Sequence, residues 1–242
     1  MKRLAILSTH PIQYNAPLFR MLAADEAIEL KVVYSKQLQE VRFDKDFGRE
    51  IIWDISLTDG YEHESFEASS YAGQKQMVNA IEHFEPDALL VYGWYFRGHW
   101  STMRHFKGRI PIWFRGDSIL LDPLPLWKKA ARKLLLTFVY RSVDRAFYVG
   151  QANKRYFEWV SLRPDQLTYA PHAVDNEFFM LEDETRNELA LQKRAELGIP
   201  TDATVFLFVG KLEPKKQPNM LAEAFQAAGL GSSHLVLSLI HI

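Results

Sequence analysis

The 242-residue chain contains no cysteine, so disulfides and thiolate metal sites are excluded outright. It has no long apolar run either. The longest, Leu134 to Tyr140, is interrupted by Thr137 and flanked by Lys133 and Arg141, too short and broken for a membrane span. Met1-Lys2-Arg3 is followed by only four apolar residues before Ser8, and a secretory leader needs a longer apolar core. Charge of one sign is also lacking: 29 basic residues face 30 acidic ones, for a net charge of −1. No global field draws the chain to nucleic acid, and any anion site must be local. Neither a Gly-x-Gly-x-x-Gly nor a Walker loop occurs, which disfavours dinucleotide and ATP chemistry. Together these absences predict a soluble, cytoplasmic protein.

What is present is ordinary globular composition, 48% hydrophobic and 24% charged, arranged in a rhythm. Short apolar runs occur at Leu4–Ser8, Leu30–Ser35, Ala88–Tyr92, Ile110–Phe114, Arg145–Val149, Leu167–Ala170 and Val205–Val209. Most are closed by Gly or Pro. Such runs suit parallel strands covered on both faces. Helical spacing lies between them. Leu18, Met21 and Leu22 share a face, with Asn15 as N-cap and Pro17 in the first turn. Met77, Ile81 and Phe84 share another, as do Leu221, Ala224, Phe225 and Ala228, ending at Gly229. The prediction is a doubly wound parallel α/β domain over residues 1–180.

From Asp175 to Pro200 the chain is polar and helical, a link into a second α/β domain. Residues 181–242 hold the link and the start of that domain, about 50 residues, too few for a doubly wound sheet. The last six residues, Leu237-Ser238-Leu239-Ile240-His241-Ile242, match one reading frame of a common sequencing adapter. The expectation is that 237–242 are not native and the gene was cut; the alternative is a short natural strand.

Gly210-Lys211-Leu212-Glu213-Pro214-Lys215-Lys216-Gln217-Pro218 follows a strand and opens a helix. A helix N-terminus with lysines beside it suits a diphosphate; a solvated basic turn is the other reading. Strand, Gly-[Arg/Lys]-Leu-x-x-x-Lys, helix resembles the donor-binding entry of glycosyltransferase family 4, which has the GT-B fold. The resemblance implies that Gly210, Lys211 and Lys216 bind the diphosphate of a nucleotide-sugar. Gln217 departs from it, since a small residue such as glycine is usual there. Tyr169-Ala170-Pro171-His172-Ala173-Val174-Asp175-Asn176-Glu177-Phe178-Phe179 is similar to the family's Pro-Asn-Gly-Val-Asp-x-x-x-Phe segment, with His172-Ala173 in place of Asn-Gly. His172 reads as a buried or capping histidine. With Asp144 to Gly150 upstream, the segments keep the family's order over nearly the whole chain.

Other candidates sit at strand ends, which in this fold face the ligand crevice. His10, Gln13 and Tyr14 in Ser8-Thr9-His10-Pro11-Ile12-Gln13-Tyr14-Asn15 would shape an acceptor pocket, or form a rigid turn with His10 as a structural hydrogen-bonder. Arg115 and Asp117 would hold an anionic group and a sugar hydroxyl, or pair with each other. In Tyr92-Gly93-Trp94-Tyr95-Phe96-Arg97-Gly98-His99-Trp100 the place of the family's histidine holds Tyr92-Gly93-Trp94, so no catalytic histidine is carried over; Phe96 and Trp100 read as helix core. Trp127-Lys128-Lys129-Ala130-Ala131-Arg132-Lys133-Leu134 mixes basic and apolar residues. Such a helix, over 127–141, either touches an anionic membrane from outside or shows a solvated face. Asp44-Lys45-Asp46 mimics an Asp-x-Asp metal motif without strand context and reads as a surface loop.

The implied function is transfer of a sugar from a nucleotide-diphosphate donor to the hydroxyl of a glycan or lipid-linked acceptor, with retention, in cell-surface glycan synthesis. The resemblance implies no metal and no other cofactor. The family's E-x(7)-E donor segment lies later in the C-terminal domain than this chain reaches, so the 242 residues alone are expected to be inactive. The alternatives are a non-catalytic α/β glycan- or partner-binding module and a sugar-nucleotide epimerase.

Overall fold

The computed structural model describes residues 1–38, 42–44, 49–51, 56–94, 96–121, 124–180, 182–210 and 212–238, with backbone alone at 42–44, 49–51 and 178. Lys211, Lys45 and Asp46 lie outside the described residues. The elements follow in order: β1 (Lys2–Ser8), α1 (Ala16–Ala24), β2 (Ile28–Tyr34), β3 (Arg42–Asp44), β4 (Arg49–Ile51), β5 (Glu62–Ser65), α2 (Tyr71–Phe84), β6 (Ala88–Tyr92) and α3 (Arg97–Phe106). Next come β7 (Ile112–Arg115), α4 (Leu126–Tyr140), β8 (Arg145–Tyr148), α5 (Gln151–Trp159), β9 (Leu167–Tyr169), α6 (Asn176–Phe179), α7 (Asp183–Glu196), β10 (Val205–Val209), α8 (Pro218–Ala228) and β11 (His234–Ser238). All seven apolar runs are strands. The chain divides into one unit of residues 1–38 and 55–174 and another of 39–54 and 175–242.

The first unit holds a seven-stranded sheet in the order β5-β2-β1-β6-β7-β8-β9, every neighbouring pair parallel. This is the expected doubly wound sheet. On one face Leu7, Val33, Leu89, Val91 and Phe114 pack under α2, α3, α4 and α5 through Met77, Ile81, Met103, Tyr140 and Phe157. On the other, Leu4, Ile6, Val32, Tyr34 and Leu90 pack against Phe19 of α1 and Tyr61. Strand residues buried on both sides explain the unbroken apolar runs. Two aspartates just ahead of strands tie neighbours together: Asp87 accepts from the Arg3 N–H at 2.8 Å and Asp144 from the Ile112 N–H at 2.8 Å.

The helix α1 corrects one expectation. Its buried residues are Ala16 and Phe19, while Met21 is 70% exposed. The helix carries apolar residues at 16, 18, 19, 21, 22 and 23, so two overlapping stripes compete, and the sheet selects the one bearing the large aromatic ring. Asn15 is the N-cap residue, without a side-chain cap bond. At α2, the Ser70 hydroxyl accepts from the Gly73 N–H at 3.0 Å, and the helix ends on Glu85 in the left-handed region, φ 49°.

The second unit is smaller. Its β10 and β11 run parallel, Val205 opposite His234. Phe206 and Phe225 of α8 meet ring to ring at 5.8 Å, and Gly229 closes α8 in the left-handed region. Phe206, Leu207 and Val209 remain exposed. β11 continues through Leu237 and Ser238, and residues 239–242 lie outside the described residues.

Candidate functional site

In the first unit's sheet β1 lies between β2 and β6, where the strand order reverses. Open α/β sheets bind ligands outside the carboxyl ends of their strands at this point, because the loops there diverge and leave a crevice. The loop from Ser8 to Asn15 leaves β1 here. Ser8 is buried, His10 and Gln13 are half-buried, and Tyr14 is exposed. The backbone is pinned to the next strand's loop: the Ser35 N–H donates to Ser8 O at 2.9 Å and the Lys36 N–H to Thr9 O at 3.0 Å. The turn itself is tight, with Asn15 and Ala16 N–H groups both donating to Ile12 O.

Beneath this loop lies a group that the sequence did not single out. His99, in the first turn of α3, is fully buried. Its Nδ1 is 3.0 Å from Gly93 O, and its Nε2 is 2.8 Å from the Ser35 hydroxyl. A carbonyl can only accept, so Nδ1 carries the proton and Nε2 accepts from Ser35. Burial pushes the imidazole down from 6.5 to about 4, against the opposing pull of the Gly93, Tyr92 and Ser8 backbone. The ring is a neutral clamp joining the loops after β1, β2 and β6. Gly93 itself has φ +76° with open space where a Cβ would stand, and its N–H donates to Arg115 O at 3.2 Å.

Arg115 ends β7 at the same end of the sheet. Its guanidinium donates to Ala170 O at 2.8 Å and to Pro171 O at 2.9 Å. It therefore anchors the chain leaving β9, and the Asp117 side chain next to it is exposed. Asn153 acts similarly between β8 and the loop after β7: it accepts from the Val149 N–H at 3.1 Å and donates to Ser118 O at 2.8 Å. Burial raises the Tyr92 hydroxyl above its ordinary value, while the Arg115 charge opposes this. His172 is exposed, not buried as the sequence suggested, because the segment after Pro171 leaves the sheet. Phe96 and Trp100 pack against the core, as expected.

The second unit carries the lysine-rich turn. After β10 the Gly210 N–H donates to Ser238 O at 3.0 Å. Pro214–Lys216 forms one 3-10 turn, and Gln217 takes φ 52° before α8 begins at Pro218. That left-handed residue explains why a small residue suits this place: a Cβ there costs energy that glycine avoids. A cavity of about 470 Å³ is lined by Leu212, Pro214, Gln217, Pro218, Asn219 and Leu237 among others. The first-turn N–H groups of Asn219 and Met220 have no partner within the helix. Lys216 is exposed, and Lys215 pairs with Glu213 at 3.5 Å. Among the described residues no three His, Asp or Glu side chains converge as metal ligands, and no helix is long and apolar enough to cross a membrane.

No family model matches the chain. A stretch of 61 residues is 39% identical to D-inositol 3-phosphate glycosyltransferase of Stackebrandtia nassauensis, covering 25% of this chain and 12% of that protein. The chain overlays on UDP-GlcNAc 2-epimerase from Neisseria meningitidis bound to UDP-GlcNAc with a TM-score of 0.56 at 19% identity, over 99% of this chain and 66% of that one. It overlays on Anabaena HepE in complex with UDP with a TM-score of 0.61 at 15% identity, over 99% and 62%. A third match is UDP-GlcNAc 2-epimerase from Methanocaldococcus jannaschii, TM-score 0.55, 12% identity, 98% and 65%. The chain thus spans less than two thirds of these proteins' lengths. What it shares with the solved structures is the GT-B-like fold, a parallel Rossmann-like unit followed by a smaller β-sheet unit.

Proposed function

We propose that the chain belongs to a GT-B-type enzyme acting on a nucleoside-diphosphate sugar, and that the reaction is retaining transfer to an acceptor hydroxyl, as the resemblance to family 4 implies. The observation that supports this reading is the left-handed Gln217 leading into α8, whose first turn lines a cavity directly after Lys216 in the chain. The short likeness to a glycosyltransferase supports it. As the bond from the sugar to the diphosphate breaks, negative charge builds on the leaving oxygen. Lys211, Lys216 and the α8 N-terminus would stabilise that charge. The acceptor oxygen bonds to the same face of the sugar carbon, and its proton passes to the leaving phosphate. His10, Gln13 and Tyr14 would bound the acceptor, with Arg115 and Asp117 at the neighbouring strand end.

A second reading is a sugar-nucleotide epimerase, favoured by the overlay on two such enzymes. A non-catalytic binding module would lack nucleotide dependence altogether. UDP titration of the labelled chain tests the shared step. Shifts should map to residues 210–220, and Lys216→Ala should weaken binding about tenfold, as the loss of one charge-assisted bond. Shifts confined to the first unit, or unchanged affinity in the variant, would refute the donor site. Acceptor-dependent release of UDP then separates transferase from epimerase, which inverts C2 of UDP-GlcNAc without an acceptor.

A further inference from the structure

The helix α4 is held to the sheet only by its end. Its buried residues are Leu136, Val139 and Tyr140. From Leu126 to Leu135 every residue is exposed except the half-buried Arg132. Beside the lysines, large apolar side chains stand exposed: Leu126 is 85% exposed, Trp127 69% and Leu134 76%. At about 100° per residue, Trp127, Ala130 and Leu134 share a side turned away from Leu136, Val139 and Tyr140, with Leu126 at its edge. In an ordinary surface helix that outer side is charged. Here it is apolar, and Leu121 in the preceding loop adds a further side chain, 78% exposed. Contiguous apolar surface of this kind marks an interaction site.

Charge selects the occupant. Residues 124–143 include Lys128, Lys129, Arg132, Lys133 and Arg141 and no acidic residue. Lys128 Nζ lies over the Trp127 ring at 5.3 Å, and Lys133 Nζ over the Trp159 ring at 6.0 Å, so aromatic rings and ammonium groups form one surface. A second copy of this face would bring lysines against lysines. An anionic bilayer answers both features: apolar side chains enter the boundary between headgroups and acyl chains, and the ammonium groups meet lipid phosphates.

We propose that the first ten residues of α4 seat the protein on an anionic lipid surface, with Trp127 and Leu134 inserted and Lys128, Lys129 and Lys133 on the headgroups. α4 follows β7 in the chain, so its start lies toward the carboxyl end of the sheet, the end that carries His10 and Arg115. The contact stands without the transferase reading; only its use for presenting a lipid-linked acceptor rests on that reading.

Flotation of the full chain with vesicles tests the contact. The chain should float with phosphatidylcholine vesicles containing about 30% phosphatidylglycerol and far less with phosphatidylcholine alone, since each basic residue contributes about fivefold at an anionic surface. K128E/K129E should lower partitioning by at least about 25-fold on the same basis, and W127S/L134S should abolish it. These side chains are exposed, so both variants should keep the far-UV circular dichroism of the parent. The exposed Leu207 and Val209 of the second unit would bind both vesicle types alike and would ignore these changes. Quenching of Trp emission by brominated lipid should vanish in Trp127→Phe. Equal binding to the two vesicle types overturns the proposal, as does unchanged binding of W127S/L134S. So does a chain that floats with neither vesicle but passes from dimer to monomer in W127S/L134S, which would assign the face to a second copy. Failure here leaves the UDP titration untouched, and failure there leaves this contact intact.

Discussion

Lowering the pH from 7 to 5 should destabilise the first unit through one side chain, His99. Burial holds its imidazole at about 4, against 6.5 in the unfolded chain. Between these values the unfolded chain binds more protons than the folded one, so stability falls as pH drops through the window. The whole shift is worth about 3 kcal/mol, and by pH 5 roughly 2 kcal/mol of it should be gone. Carboxylates do not confuse the reading. Glu82, held low by His105, and Asp87, held low by the Arg3 N–H, lose their contributions only below their unfolded values of 4.5 and 3.8. Urea unfolding at each pH, followed by tryptophan emission, is the assay. Five of the six tryptophans, Trp94, Trp100, Trp113, Trp127 and Trp159, belong to the first unit, so the signal reports mainly on that part of the molecule. Titration of labelled histidine, with His99 assigned from a His99→Gln spectrum, measures the site directly. A stability that is flat from pH 7 to pH 5, or a His99 midpoint near the unfolded value, refutes the argument. It would mean that water reaches the ring or that Ser35 donates nothing to it.

Two substitutions test the backbone. Gly73→Ala would normally favour a helix by about 1 kcal/mol, yet a Cβ there would stand 2.0 Å from Glu67 O; the variant should lose at least about 2 kcal/mol in urea unfolding, and a gain would show that the turn before α2 yields. Glu85→Gly should instead raise stability by about 0.5–1 kcal/mol by releasing a left-handed residue, because its ion pair with Arg3 at 3.6 Å is exposed and contributes little; Glu85→Ala, which keeps the Cβ, should show no such gain.

How far the fold could be read in advance depended on where each strand lies. Runs such as Leu4–Ser8 and Ala88–Tyr92 announce themselves because a parallel strand within a sheet has apolar neighbours on both faces. Glu62–Ser65 does not, having no apolar residue at all. It is an edge strand whose place is set by Lys31 on β2, with Nζ 3.0 Å from Glu62 and 2.5 Å from Glu64. Burial is the largest single effect on the Lys31 ammonium and lowers it, but the hydrogen bonds and charges of Glu64 and Glu62 together outweigh it and hold the group above its ordinary value. Charge pairing of this kind leaves no periodicity to find.

The candidate site divides in the same way. The segment from Gly210 to Pro218 is local, so its basic residues and its oddity at Gln217 stand in the sequence, and the structure supplies the reason for the latter in that residue's φ of 52°. The clamp of His99 on Ser35 joins residues 64 apart, and Arg115 meets Pro171 across 56. Nothing in local spacing signals either. The one hint for His99 is its place in the first turn of a helix that follows a strand ending in glycine, at the point where the sheet reverses. Arg115 shows the converse: its position at a strand end marks it as a ligand contact by rule, yet two of its donors go to the Ala170 and Pro171 carbonyls. Strand-end placement identifies the neighbourhood of a site. Whether a given side chain faces the ligand or holds the loop that does is decided by long-range partners, which only the folded chain brings together.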